Sequence, residues 1–233
     1  SWSLPRSHCA TADPAGGAGT STVCRRLTAW AKPDASYCVT EKSVMPNCTP
    51  GEPSSVPVAV NLATQQFQAP GFVDSVAQAL EAAGADGSML ELEMTERVLV
   101  ADLREVRNAL EQLAAMGVRL TVDDFGTGTT SLRHLKDLPL HRLKVDRSFV
   151  AGLPDDAGSV AVARAIVQMG HGLALQVVAE GVQSEAQREF VRSIGCDALQ
   201  GLLLARPMPE PEMTEWLRRR LSGLSPSPAG GRG

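Results

Sequence analysis

From Pro57 onward, short apolar, β-branched runs alternate with amphipathic stretches of helical period. The strand-like runs are Val58-Ala-Val-Asn61, Met89-Leu-Glu-Leu-Glu93, Val118-Arg-Leu-Thr-Val-Asp123, Arg142-Leu-Lys144, Leu175-Gln-Val-Val-Ala-Glu180 and Ala198-Leu-Gln200. Between them, Phe72, Val73, Val76, Ala77 and Leu80 form one helical face, with Gly84 as its predicted C-terminal cap. Leu103, Val106, Leu110 and Leu113 form the next, closed by Gly117. Further helices are predicted from Ala161 to Gly170 and from Ser184 to Gly195. The latter opens with a Ser-x-x-Gln capping box of Ser184 and Gln187. A last helix runs from Pro211 to Leu221.

The ends of the chain have a different texture. Residues 1–56 are rich in Ser, Thr, Pro, Gly, Ala and Cys, with no sustained period of 2 or 3.6. Such a segment buries little apolar surface and is expected to be a disordered arm. Residues 57–222 then make the folded domain, and residues 223–233 a disordered tail. Four of the five cysteines (Cys9, Cys24, Cys38 and Cys48) lie in the arm without C-x-x-C spacing, which argues against a zinc ribbon. Nothing else calls for an oxidising compartment, so free cysteines in a cytoplasmic protein are expected. Cys196 is expected to be a small buried apolar residue.

The formal net charge of −4 offers no basic footprint for DNA or RNA. No apolar run reaches the roughly 18 residues of a membrane span.

Strand and helix in alternation mean parallel strands joined by right-handed crossovers, in an open doubly wound sheet or a closed barrel. The polar residues favour the barrel. Strands end in Asn61, Glu93, Asp123 with Asp124, Lys144, Glu180 and Gln200. A barrel gathers the C-terminal ends of its strands around one mouth, whereas an open sheet spreads them along an edge. The predicted fold is therefore α/β, a TIM-like (β/α)₈ barrel that is N-terminally incomplete, with six recognisable βα units. An unpaired edge beside Val58 to Val60 would leave apolar, barrel-filling side chains uncovered and the monomer marginal.

Glu93, Asp123, Asp124 and Glu180, together with Asn61, make an oxygen-rich anionic cluster that needs cations or protons. Oxygen donors without His or thiolate favour Mg²⁺ or Mn²⁺ over zinc. Carboxylates sharing two such ions activate water and stabilise an in-line phosphoryl displacement. Lys144 in the same ring would hold the water or a phosphate oxygen. The glycines of Asp123-Asp-Phe-Gly-Thr-Gly128 allow a sharp turn directly after the acidic pair. Its Asp-Phe-Gly triplet lacks the other kinase motifs, so a kinase is rejected. His8, His134, His141 and His171 do not end strands, and packing or surface roles are expected for them.

Residues 57–217 resemble the EAL-domain family of bacterial cyclic di-GMP phosphodiesterases. The resemblance rests on Val60-Asn-Leu62, Leu92-Glu-Met-Thr-Glu96, Asp123-Asp-Phe-Gly-Thr-Gly128, Leu143-Lys-Val-Asp-Arg-Ser-Phe149, Val178-Ala-Glu-Gly-Val182, and Gln200-Gly201 with Arg206-Pro207, in the family's order. It implies a barrel with two Mg²⁺ or Mn²⁺ ions that hydrolyses cyclic di-GMP to pGpG. By position it makes Asn61, Glu93 and a bridging Asp123 metal ligands, and Asp124 a ligand of the second metal. Lys144 becomes a water-orienting cation, and Glu180 a second-metal ligand or base. Gln200 becomes a support, and Glu96 a brace for the loop after Asp124. It also implies homodimers through the loop after Gly128.

The chain departs from the family at its defining motif. No Glu-Ala-Leu strand precedes Pro57, and Gln183 stands where a second glutamate is usual. Three readings follow: a phosphodiesterase completed by an upstream segment, a degenerate domain that binds cyclic di-GMP or a protein without turnover, or a frameshifted arm on a partial barrel. With the glutamate absent, hydrolysis by these 233 residues is expected to be very slow.

Overall fold

A computed structural model describes residues 57–96, 98, 103–126 and 135–221. The arm of residues 1–56, the tail of residues 223–233 and the loop after Gly128, on which the dimer expectation falls, lie outside the described residues. The described elements are β1 (Val58–Leu62), α1 (Thr64–Phe67), α2 (Phe72–Ala83), β2 (Leu90–Thr95), α3 (Leu103–Ala115), β3 (Arg119–Phe125), β4 (Arg142–Val145), α4 (Arg147–Ala151), α5 (Ala157–Gly172), β5 (Gln176–Glu180), α6 (Glu185–Ser193), β6 (Ala198–Gln200) and α7 (Glu210–Leu221).

All strand pairs are parallel, and the six strands lie in sequence order, β1 to β6, without a reversal. Crossovers of one hand in an unreversed order put every helix on the same side. The sheet is therefore singly wound, part of a (β/α) barrel and not a doubly wound sheet. The burial pattern agrees. Val58, Val60 and Leu62, Leu90, Leu92 and Met94, Leu120 and Val122, Leu143 and Val145, and Val177 and Ala179 form one buried apolar face. Against it pack Val76 and Leu80 of α2, Val106, Leu110 and Leu113 of α3, and Ile166 and Val167 of α5.

The opposite, inner face corrects one expectation. It is not filled by apolar side chains. Glu91 Oε1 accepts a 2.6 Å hydrogen bond from the Thr121 hydroxyl, and Glu91 Oε2 one of 2.6 Å from Arg142 Nη1. Arg142 Nε donates at 2.9 Å to Gln176 Oε1. Thr121, Arg142 and Gln176 are register partners across β3, β4 and β5, and Glu91 reaches them from β2, two residues before Glu93, the register partner of Thr121. They form a polar rung across the sheet, with Glu91, Thr121 and Arg142 buried. At β1 the face is open: Ala59 and Asn61 are exposed between buried neighbours. Among the described residues, β1 pairs only with β2.

The predicted helix ends form for the predicted reasons. Gly84 and Gly117 adopt positive φ of 60° and 86°, which costs little without a Cβ. Gln187 N–H donates to Ser184 Oγ, and Gln187 Oε1 accepts from the Ser184 amide, both at 3.2 Å. The Gln187 amide also donates to the Val150 carbonyl at 3.2 Å, tying α6 to α4. Helix α5 starts at Ala157, four residues before its apolar stripe, because Asp156 caps it by accepting the Ser159 N–H at 2.6 Å.

Candidate functional site

One step along each strand toward its C-terminal end lies a second rung. Glu93 follows Glu91 on the inner face of β2, Asp123 follows Thr121 on β3, and Lys144 follows Arg142 on β4. Lys144 Nζ lies 3.0 Å from Glu93 Oε2, 3.2 Å from Asp123 Oδ1 and 3.8 Å from Glu180 Oε2. Lys144 is only 2% exposed, so this ammonium has carboxylates where water would otherwise be. Burial alone would lower its pKa, but the charges of Glu93, Asp123 and Glu180 outweigh that and raise it. Burial pushes the Glu93 carboxyl up, against the opposing pull of Lys144. It likewise pushes Glu180 up to about 7, and Asp123, Glu93 and Asp124 add to that shift.

Asp123 and Asp124 pose a geometric problem, because successive side chains on a regular strand point to opposite faces. The backbone solves it locally. The register between β3 and β4 shifts between Val122 and Phe125, and Asp124 takes φ of 54°. Asp is among the non-glycine residues that best tolerate this left-handed region. Carboxylate oxygens of Asp123, Asp124 and Glu180 then lie within 4.8 Å of one another. Burial raises the Asp124 pKa, and so do the Asp123 charge and a hydrogen bond with Asp146. Asp146 also caps α4 by accepting the Ser148 N–H at 2.9 Å, and the Ser148 hydroxyl donates to the same oxygen. Those bonds overcome the effect of burial and hold its pKa below the ordinary value.

The structure thus brings Glu93, Asp123, Lys144 and Glu180 into direct contact range, with Asp124 joined to Asp123 and Glu180. Asn61 is beside Glu93 in the β1–β2 register and is exposed. Gln200 is beside Glu180 in the β5–β6 register and is buried. Glu96, also buried, accepts the Gly126 N–H at 2.8 Å, two residues beyond Asp124. Sequence reasoning passed over Asp146 and the whole Glu91 rung. The alternation in Leu90-Glu-Leu-Glu93 was the available signal, since it puts Glu91 and Glu93 on one face. Among the histidines, His141 Nδ1 accepts the Leu120 N–H at 3.2 Å and His171 lies 2.9 Å from Asp197, both away from this group. Cys196 is half-buried, and burial pushes its thiol up to about 12.

Three oxygen-donor carboxylates at this spacing suit a hard divalent cation, with waters completing its shell. Comparison with known proteins places the arrangement in context. A sequence profile of the EAL domain matches residues 34–207, reaching back into the segment read above as an arm. The chain is 48% identical over 156 residues to the bifunctional diguanylate cyclase/cyclic di-GMP phosphodiesterase MucR of Pseudomonas aeruginosa. That match covers 67% of this chain and 23% of the relative, so the chain spans about a quarter of that protein's length. Among solved structures, the PaMucR phosphodiesterase in complex with c-di-GMP superposes with a TM-score of 0.68 at 40% identity. That superposition covers 83% of this chain and 71% of the other. The calcium/cy-diGMP complex of Klebsiella pneumoniae BlrP1 superposes with a TM-score of 0.61 at 28% identity, covering 66% and 39% of the two chains.

Proposed function

Because this chain belongs to the EAL-domain family of cyclic di-GMP phosphodiesterases, we propose that it binds cyclic di-GMP at the mouth formed by the ends of β1 to β6. We further propose that these residues hydrolyse it to pGpG only slowly. The observation that carries this reading is the convergence of Asp123, Asp124 and Glu180.

In this reading, Asp123, Asp124 and Glu180 hold a Mg²⁺ or Mn²⁺ ion. When bound, the ion supplies charge stabilisation and acidifies water. Asp123 and Asp124 are presented together by the left-handed turn at Asp124, and Glu96 steadies that turn through Gly126. Glu180, whose carboxyl burial pushes up to about 7, would serve either as a ligand of that ion or as the base that takes a proton from the attacking water. Lys144 supplies a fixed positive charge on the inner side of the group. Gln200 supports Glu180 from the adjoining strand, and Asn61 offers an exposed amide at the open margin.

Within these 233 residues no Glu-Ala-Leu glutamate precedes Pro57, so turnover by these residues alone would be slow. Loss of one carboxylate that fixes a catalytic ion is an effect of several kcal/mol, or about a thousandfold in rate. A binding module without turnover is the second reading, favoured by the commitment of Glu93 to Lys144.

The test is formation of pGpG from cyclic di-GMP by the full chain with excess Mn²⁺. The expected turnover is below about 10⁻³ per second, lost in Asp123→Ala. Turnover near one per second that Asp123→Ala abolishes would refute slow catalysis. Failure to bind cyclic di-GMP would refute both readings.

A further inference from the structure

The capping box that opens α6 does more than cap it. Gln187 is buried, and its side chain uses the full hydrogen-bonding capacity of a carboxamide. Oε1 accepts the Gln183 N–H at 2.8 Å and the Ser184 N–H at 3.2 Å. Nε2 donates to the Val150 carbonyl at 3.2 Å and to the Ala151 carbonyl at 3.5 Å. Of these four bonds, a capping box requires only the one to Ser184. The other three join the loop after Glu180 to the last turn of α4.

Each of those segments leads to a member of the carboxylate trio. Helix α4 has five residues, too few to hold its course without tertiary support, so its direction is set by what grips its ends. At its first end, Asp146 accepts the Ser148 N–H and is hydrogen-bonded to Asp124. At its other end are the two carbonyls that Gln187 holds. The loop after Glu180 also packs on the start of the same helix. Gly181 has φ of 76°, and a Cβ there would lie 2.7 Å from Arg147 Cβ and 3.4 Å from Arg147 Cα. The segment that follows Glu180 therefore meets α4 at its first residue and grips it at its last two.

We propose that Gln187 is a positioning residue for the carboxylate trio. By tying the loop after Glu180 to α4, and through Asp146 to Asp124, it sets the spacing at which Glu180 and Asp124 converge with Asp123. The proposal rests on the metal-dependent reading above and adds to it a residue that acts through others. The role demands a carboxamide. An ionised glutamate offers acceptors only, a lysine donors only and a leucine neither, so each would leave buried backbone groups unpaired. Removing a group that orients metal ligands typically weakens metal affinity by about ten- to a hundredfold.

The experiment titrates Mn²⁺ into the full chain, following the free ion by electron paramagnetic resonance and recording the spectrum of the bound ion. Gln187→Leu should weaken binding about tenfold or more and change the bound-ion spectrum. Gln187→Glu keeps both acceptor bonds and loses both donor bonds to α4, and it should show the same two changes. Ser184→Ala removes the hydroxyl that caps α6 but leaves the four carboxamide bonds. It should lower the melting temperature while keeping the Kd within about twofold and the spectrum unaltered. A folded Gln187→Leu with the parent's Kd and spectrum would overturn the proposal and leave the metal-dependent reading standing. An equal loss of affinity in Ser184→Ala would also overturn it, because the effect would then follow the stability of α6. No Mn²⁺ binding by the parent at millimolar concentration would overturn the metal-dependent reading itself, and the proposal with it. Should Gln187→Leu fail to fold, Gln187→Glu, which retains the cap, decides the matter alone.

Discussion

Arg142 Nη1 meets Glu91 Oε2 at 2.6 Å on the inner face of the sheet, directly beneath the rung that carries Lys144 and Glu93. Both partners are almost fully buried, so neither charge can be returned to water when the other is removed. Breaking such a pair by one substitution typically costs about 3–5 kcal/mol, whereas replacing both partners with apolar groups is often close to neutral. Arg142→Met and Glu91→Leu should each destabilise the chain by that amount in urea titrations. The double variant should recover most of the loss. Additive losses in the double variant would show that the two residues act independently.

Asp124 occupies left-handed backbone with φ of 54° at the point where the β3–β4 register shifts. Its side chain serves the carboxylate trio, while its backbone would suit glycine better. Asp124→Gly should therefore match or exceed the parent in stability, by up to about 1 kcal/mol, while binding Mn²⁺ at least about tenfold more weakly. Asp124→Ala should lose both. Parallel melting and metal titrations separate the two effects.

Glu180 has a folded-state pKa raised from 4.5 to about 7, so the folded chain binds its proton more tightly than the unfolded chain does. The stabilisation is present in full below pH 4.5 and disappears as pH rises through about 7. In EDTA, stability should rise as pH falls across that window, by at most about 3 kcal/mol and less to the extent that Glu180 is partly exposed. Glu93 and Asp124, also raised, act in the same direction. Asp146 and Asp156 are lowered from 3.8 and so oppose it only at lower pH. Glu180→Gln should flatten the dependence. A slope of opposite sign in melting temperature against pH would contradict this account.

A Cβ at Gly201 would sit 2.1 Å from the Val182 carbonyl oxygen and 2.4 Å from the Val182 nitrogen, both backbone atoms that cannot swing aside. The Val182 N–H is itself bonded to the Gln200 carbonyl at 3.0 Å, so the collision pulls on the end of β6. Gly201→Ala should cost about 2–4 kcal/mol in denaturant titrations and disturb Gln200 beside Glu180. A loss below about 0.5 kcal/mol would show that the segment relaxes freely.

Much of the site was legible because polar residues interrupt the apolar runs close to the strand ends: Glu180 and Gln200 end β5 and β6, while Asn61, Glu93, Asp123 and Lys144 lie one or two residues inside the ends of β1 to β4. The single-sided winding was legible only indirectly: polar residues near the strand ends favoured a barrel over a doubly wound sheet, while the unreversed strand order itself is encoded by no local pattern. Glu91 was overlooked because its partner Arg142 lies 51 residues away. The alternation of Glu91 with Glu93 fixes the face they share and gives no hint of which cation will meet each. Asp123 and Asp124 could be read as a pair, but their shared facing depends on a register shift and a left-handed residue that composition does not reveal. The Glu96–Gly126 bond lies between these cases: the brace was expected from the resemblance, and its atoms meet across 30 residues.

The unreversed strand order also governs how the domain assembles. Each described strand pairs only with the strand before it and the strand after it in the chain. Among the described residues, no sheet contact has to wait for a distant segment, and the largest loop closed at any step is a single crossover. Parallel sheets usually fold slowly because their pairings are remote in sequence, and a strictly neighbour-to-neighbour arc avoids much of that delay. The arc behaves in this respect like a stacked repeat, in which the loss of one terminal unit removes one interface and leaves the others standing. Unfolding should accordingly begin at one of the two described margins, β1 with its exposed Ala59 and Asn61 or the three-residue β6, and pass unit by unit along the arc.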